Sequence, residues 1–144
     1  MAQQSIGFIG AGNMATSLAG GMVAKGIRPA RIWMSDPSRD RLEEVSQLHR
    51  VHVTNENRDV AGRVDVLVLA VKPQHLPEVM SDLSNDVGGD LAVVSIVAGA
   101  KMDTLVSGLG HPAVIRVMPN TPAQIGAGMS VWTAAPDVSD AKVE

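Results

Sequence analysis

The chain has 144 residues, of which 45% are hydrophobic and 19% charged, a composition typical of one globular domain with its own core. Its net charge of -3 and its scattered lysines and arginines argue against nucleic-acid binding, because proteins that bind phosphate backbones concentrate positive charge. The sequence has no cysteine, which excludes disulfides, thiolate catalysis and cysteine-ligated metals and favours a cytoplasmic protein.

The first half of the chain predicts three strands, at residues 5–10, 31–35 and 51–53. Helical patterns separate them, at residues 13–25, at residues 38–49 and, as a short polar helix or turn, at residues 56–63. The helix over 38–49 places Leu42, Val45 and Leu48 on one apolar face, with charged residues on the other.

The second half predicts four more strands, at residues 65–71, 91–97, 113–118 and 129–134, the last of uncertain direction. DVLVLAV at 65–71 is apolar at nearly every position, which is typical of a strand buried on both faces of a parallel sheet. Two helices between these strands carry apolar residues at helical spacing: Leu76, Val79, Met80, Leu83, Met102, Leu105, Val106 and Leu109. This alternation predicts an α/β fold, a Rossmann-like doubly wound and mainly parallel sheet with helices on both faces.

A glycine pattern joins the first predicted strand to the first helix. Gly10, Gly12 and Ala15 form G-x-G-x-x-A directly after the strand and at the start of the helix. Gly10 permits a tight turn, Gly12 lets the backbone approach a pyrophosphate, and Ala15 allows close helix packing. The helix N-terminus adds unpaired N–H groups and a partial positive charge. This context favours a dinucleotide-binding turn over a purely structural one.

The segment MSDPSRDR at 34–41, which ends the second strand, bears on which dinucleotide binds. Asp36 lies near the usual place of an acid that holds the ribose 2′-hydroxyl of NAD. The neighbouring hydroxyl and guanidinium groups suit the 2′-phosphate of NADP instead; they belong to Ser35, Ser38, Arg39 and Arg41. Alternatively, residues 36–38 form a turn and a helix cap, with the arginines in solvent. The arginines favour NADP, and Asp36 keeps NAD open.

Four segments resemble the N-terminal, cofactor-binding domain of the pyrroline-5-carboxylate reductase family: IGFIGAGNMA at 6–15, VLVLAVKPQ at 66–74, VVSIVAGA at 93–100 and RVMPNTPAQIGAGMS at 116–130. They occur in the family's order, and AVKP together with MPNTP is specific. The resemblance implies NAD(P)H-dependent reduction of 1-pyrroline-5-carboxylate to L-proline, the last step of proline biosynthesis. The alternatives are another imine or hydroxyacid reductase of similar architecture and a non-catalytic NAD(P)-binding module.

The resemblance also implies which residues bind the cofactor. The pyrophosphate cradle would consist of Ile9, Gly10, Ala11, Gly12, Asn13 and Met14, and Asn57 would lie near the adenosine ribose and its 2′-phosphate. The cofactor would be lined beyond the fourth and fifth strands by Ala70, Val71, Lys72, Pro73, Val97, Ala98 and Gly99. Ser35, Asp36 and Arg39 would lie at the adenosine end; some members have a serine where this chain has Asp36, which puts the NADP preference in doubt.

The substrate end of the site is implied by MPNTP, whose Met118, Asn120 and Thr121 would face the nicotinamide and the substrate. Asn120 is alternatively part of a rigid turn between prolines. Lys72 is a candidate contact for the substrate carboxylate or the cofactor; alternatively it bonds nearby loop carbonyls. The sequence offers no convincing donor for the proton that the imine nitrogen must receive, so the catalytic acid is unassigned.

Metals and membranes are not expected as partners. The four histidines lack metal-ligand spacing; they are His49, His52, His75 and His111. No apolar stretch approaches the roughly 18 residues that span a bilayer.

We expect residues 1–135 to form the dinucleotide-binding domain and residues 136–144 to begin a linker or helix. PDVSDAKVE at 136–144 has the pattern of a turn, a Ser139 or Asp140 cap and the start of a helix. The resemblance implies a further, C-terminal helical domain that makes a homo-oligomer and helps to hold the small-molecule substrate. The 144-residue chain alone is therefore expected to bind cofactor with little or no turnover.

Overall fold

The structure is a computed structural model that describes residues 4–118 and 131–134. The strands within these ranges are β1 Ile6–Ile9, β2 Ile32–Ser35, β3 His52–Thr54, β4 Val66–Leu69, β5 Ala92–Ser95, β6 Val114–Met118 and β7 Val131–Ala134. The α-helices are α1 Asn13–Ala24, α2 Arg39–His49, α3 Asn57–Ala61, α4 Leu76–Leu83 and α5 Met102–Leu109. Short 3-10 turns at Pro29–Arg31 and Pro73–His75 precede β2 and α4. None of the helices in these ranges has the length and apolar character needed to cross a bilayer.

The strands form one sheet in the order β3-β2-β1-β4-β5-β6-β7. Strands β1 to β6 are parallel, whereas β7 pairs antiparallel with β6. The chain builds the sheet outward from β1 in one direction and outward from β4 in the other. The loops after these two neighbouring strands therefore diverge, which opens a crevice at the carboxyl edge of the sheet.

Helices cover both faces of the sheet, as the sequence predicts. One apolar cluster joins α3, α4 and α5 to the face that carries Leu67 and Leu69 of β4. The other joins α1 and α2 to the opposite face, which carries Val68 of the same strand. Adjacent residues of β4 thus point into different layers of the core, as strand geometry requires. The doubly wound, mainly parallel α/β fold is confirmed, and the seventh strand is antiparallel.

One predicted core position is wrong. Leu48 of α2 is 67% exposed, whereas Leu42 and Val45 of the same helix are buried. A step of three residues advances about 300° around a helix, so a run of such steps drifts away from the buried stripe. The next residue, His49, faces the rest of the protein instead: its ring lies against Gly20 of α1.

Ser38 caps the N-terminus of α2, where its Oγ accepts a hydrogen bond from the Arg41 backbone N–H at 3.2 Å. Replacing Ser38 with alanine should lower the free energy of unfolding by about 1 kcal/mol, the usual cost of losing such a cap. Ser46→Ala, inside the same helix, is the control and should leave stability unchanged or slightly raised, because alanine favours helices. Equal losses at both positions in urea unfolding would contradict the capping role.

Candidate cofactor-binding site

A cleft of about 850 Å³ opens at the carboxyl ends of β1, β2 and β4. One side is lined by the last residues of β1 and β2 and by the residues that follow β1, β2 and β4: Ile9, Gly10, Gly12, Ser35, Asp36, Pro37, Ala70, Val71 and Lys72. The other side comes from the segments around α3 and α4, namely Asn55, Asn57, Arg58, His75, Glu78, Val79, Ser81 and Asp82. This is the crevice of the sheet in which open α/β proteins bind ligands.

Gly10 makes the tight turn after β1. Its φ is +103°, and an added Cβ would lie 2.6 Å from the Ala70 carbonyl oxygen. Its N–H donates to the Ser35 carbonyl oxygen at 2.8 Å. The turns after β1, β2 and β4 therefore meet at this residue, and only glycine tolerates both the conformation and the close approach.

The start of α1 faces the cleft. Gly12 is its N-cap, and no side chain in residues 4–118 caps this end of the helix. Apart from its chain neighbours, a Cβ on Gly12 would meet no described atom within 4 Å, and Gly12 itself lines the cleft. Ala15, one turn further on, is 1% exposed and packs in the core. An uncapped helix start with a glycine and free space before it fits the pyrophosphate of a dinucleotide.

Asp36 lies at the cleft, but backbone groups occupy both of its carboxylate oxygens. Oδ2 accepts the Ala11 N–H at 2.9 Å, and Oδ1 accepts the Ser38 N–H at 2.9 Å. Because Ser38 in turn caps α2, residues 36–38 form a turn and a helix cap. Asp36 therefore stabilises the loop after β2 whether or not it also contacts a ligand.

A polar network forms the wall opposite the glycine turn. The buried Ser35 hydroxyl donates to Asn57 Oδ1 at 2.7 Å, and Asn57 Nδ2 donates to Asp82 Oδ2 at 3.3 Å. The Arg58 guanidinium pairs with Asp82 at 3.4 Å and with Asp86 at 3.3 Å. These contacts fix the orientation of the Asn57 amide beside the end of β2, where an adenosine ribose would lie.

The cleft gathers many of the residues predicted for the cofactor site: Ile9, Gly10, Gly12, Ser35, Asp36, Asn57, Ala70, Val71 and Lys72. Others predicted for it are not among the described lining residues: Ala11, Asn13, Met14, Arg39, Pro73, Val97, Ala98 and Gly99. Ala11 is buried beneath the turn, and Arg39 is exposed on the first turn of α2. Met118 ends β6, and Asn120 and Thr121 lie outside the described residues.

Of the residues that α3 and α4 contribute to the wall, Asn57 was predicted from the sequence, whereas Arg58 and the α4 residues were not. Arg58 follows Asn57 in α3, and Glu78, Ser81 and Asp82 lie in α4 at helical spacing. In the sequence, the three α4 residues form a polar face: they recur at spacings of three and four residues, opposite the apolar stripe of the same helix. That pattern is the same for a helix face in water and for one at a ligand site.

Lys72 lies at the rim of the cleft, just before the Pro73–His75 turn. Its side chain is exposed and makes no ion pair or hydrogen bond with the residues that the structure describes. Its carbonyl oxygen accepts a hydrogen bond from the His75 N–H at 2.9 Å. The ammonium group is therefore placed to attract an anion that enters the cleft.

Comparison with known proteins agrees with this geometry. Residues 5–99 match the family model described as NADP oxidoreductase, coenzyme F420-dependent. Pyrroline-5-carboxylate reductase of Escherichia coli (strain K12) is 38% identical over 133 residues, which is 91% of this chain and 49% of that protein. The structure of a pyrroline-5-carboxylate reductase from Coxiella burnetii has a TM-score of 0.93 and 34% identity, covering 97% of this chain and 53% of that one.

A pyrroline carboxylate reductase from Plasmodium falciparum, solved with NADP bound, shares the fold with a TM-score of 0.87 at 24% identity, covering 99% of this chain and 52% of that one. The chain thus spans about half the length of the curated relatives it matches. The resemblance to pyrroline-5-carboxylate reductases is confirmed in sequence and in fold. Since the family model covers well over half of its residues, the chain belongs to the NADP oxidoreductase, coenzyme F420-dependent family.

Proposed function

We propose that this chain is the cofactor-binding half of an enzyme that reduces 1-pyrroline-5-carboxylate to L-proline with NADPH. The observation that carries the proposal is the cleft at the β1–β4 crevice, with the uncapped N-terminus of α1 in its wall. The reaction is inferred from the similarity to pyrroline-5-carboxylate reductases, which extends over about half of their length. The same similarity favours this reaction over a hydroxyacid reductase or a non-catalytic module.

The chain's own residues would bind and orient the reactants. NADPH, when bound, supplies the hydride that reduces the C=N bond of the substrate. The first N–H groups of α1 would hold the pyrophosphate, and the apolar residues that line the cleft include Val71 and Val79. Lys72 at the rim would attract the substrate carboxylate. Holding two reactants in line removes much of the barrier to such a transfer.

We infer a preference for NADPH over NADH. Both carboxylate oxygens of Asp36 already accept backbone N–H groups, which supports a structural role in the loop over selection of a ribose hydroxyl. Among the described residues, every contact of the Arg58 side chain uses Nε, so its two terminal NH2 groups can meet a ligand at this wall of the cleft, and the exposed Arg39 begins the adjacent helix. Donors of this kind suit a 2′-phosphate.

We infer that residues 1–135 form the dinucleotide-binding domain and that residues 136–144 lead into a helical domain. That domain would make a homo-oligomer and would complete the substrate site together with Asn120 and Thr121. The cysteine-free composition favours a cytoplasmic location.

A chimera tests the proposed function. Joining this chain to the half of the E. coli reductase that it does not match should give an enzyme that forms L-proline from 1-pyrroline-5-carboxylate and NADPH. The unfused 144-residue chain should bind NADPH and form little or no L-proline, because it spans only about half the length of the reductases it matches. Turnover by the chimera and by the unfused chain is measured from NADPH oxidation at the nicotinamide absorbance band and from chromatographic detection of proline.

The same chimera carrying Gly12→Val is the matched control and should be inactive, because the valine would block the cradle. A chimera that binds NADPH as tightly as the E. coli enzyme but forms no proline would contradict the proposed reaction. That result would favour a non-catalytic dinucleotide-binding module instead.

A further inference from the structure

Two side chains of the β2–α2 segment hold the peptide groups of Ala11, the residue between the two glycines of the turn. Asp36 Oδ2 accepts the Ala11 N–H at 2.9 Å, and Arg41 Nε donates to the Ala11 carbonyl oxygen. Ala11 is fully buried, and the Arg41 side chain is only 25% exposed. The middle of the turn is therefore fixed on both sides by groups 25 and 30 residues away in sequence.

The Arg41 guanidinium extends this contact onto the first turn of α1. Its Nη2 donates to Asn13 Oδ1 at 3.3 Å and to Thr16 Oγ1 at 3.0 Å. The Thr16 hydroxyl in turn donates to the Gly12 carbonyl oxygen at 2.8 Å. On its outer side, Nη1 pairs with the exposed Glu44 at 3.1 Å. The planar guanidinium carries five N–H donors in a rigid arrangement, so it holds these acceptors in fixed relative positions.

We propose that Arg41, acting with Asp36, is a positioning residue for the pyrophosphate-binding turn. By holding Ala11 and Asn13, it sets the direction in which Gly12 and the first N–H groups of α1 face the cleft. This role rests on the proposed function, because it presupposes a dinucleotide at that turn. It differs from the sequence-based interpretation, in which these residues select between NAD and NADP at the ribose.

The contacts account for a common effect on both cofactors. A turn held in its binding conformation before the ligand arrives loses less conformational freedom on binding. NADPH and NADH share the pyrophosphate and differ only at the ribose 2′ position. Loss of the Arg41 contacts should therefore lower the affinities for NADPH and NADH by the same factor and leave the ratio of the two affinities unchanged.

Arg41→Met tests the proposal, since methionine keeps an apolar stem of similar length and removes every donor. Calorimetric titration should show NADPH and NADH affinities that fall together by about tenfold, the scale of one charged hydrogen bond. Glu44→Gln is the control: it removes the outer partner of Arg41, leaves the contacts to the turn in place, and should bind both ligands like the wild type.

Arg41→Lys provides a second variant that keeps the charge and the alkyl stem if methionine impairs folding. Its affinities for NADPH and NADH should fall by the same factor as each other, and by less than in the methionine variant. Its unfolding midpoint in urea should be unchanged. Wild-type affinity in either folded variant would overturn the proposal, and so would a loss confined to NADPH, which would make Arg41 a contact of the 2′-phosphate. A wild-type chain that binds neither dinucleotide would instead overturn the proposed function itself.

Discussion

Replacing Gly12 with valine is expected to abolish binding of NADPH and NADH while leaving a folded chain. Gly12 has φ −74° and ψ −175°, an extended backbone that any residue adopts. An added Cβ meets no atom of the described residues within 4 Å, so the substitution causes no steric conflict within them. The valine side chain would occupy the space before the first N–H groups of α1, where a pyrophosphate would lie.

Two measurements separate this effect from loss of the fold. The free energy of unfolding should fall by no more than about 1 kcal/mol, because valine is a poorer N-cap than glycine. The dissociation constant for NADPH should rise by about a hundredfold or more, equivalent to roughly 2.8 kcal/mol. Gly21→Val, on an exposed and equally open position of the same helix, is the control and should bind normally. Wild-type affinity in the Gly12 variant would contradict the proposed cradle.

Replacing Gly10 with alanine is expected to damage both stability and binding. The residue has φ +103°, where a Cβ is strained, and that Cβ would lie 2.6 Å from the Ala70 carbonyl oxygen. We expect the free energy of unfolding to fall by at least about 2 kcal/mol, from the backbone strain and the contact together. Relief would require the turns after β1 and β4 to separate, which would also distort the cleft.

Gly26→Ala is a matched control for the strain alone. Gly26 also has φ +103°, but a Cβ there meets no described atom within 4 Å. Urea unfolding should therefore show a clearly larger loss at position 10 than at position 26, and the difference measures the contact with Ala70. Equal losses would contradict the close approach of the two turns.

Much of the fold could be predicted because its signals are local. The continuous apolar run at 65–71 marked a strand buried on both faces, and the stripe from Leu76 to Leu83 marked the buried side of α4. The direction of β7 could not be predicted. A short apolar run shows the same residue pattern whether its strand is parallel or antiparallel to its neighbour. The direction of β7 is therefore determined only by its pairing with β6. Leu48 was misplaced because a three-residue spacing drifts off the stripe.

The candidate site could be predicted where it follows directly from strand ends. Gly10, Gly12, Asp36 and the residues after β4 lie at the cleft because parallel strands bring their carboxyl ends to one edge. Arg58 and Asp82 were missed, since their place depends on how α3 and α4 pack over that edge. The contact of Arg41 with Ala11 spans 30 residues, and no sequence period encodes it.

We infer that the cleft at the carboxyl edge of the sheet holds NADPH. Calorimetric titration of the 144-residue chain with NADPH and, separately, with NADH tests it most directly. We expect micromolar binding of NADPH and clearly weaker binding of NADH. Absence of heat and of any fluorescence change with both dinucleotides, from a chain that unfolds cooperatively in urea, would contradict it.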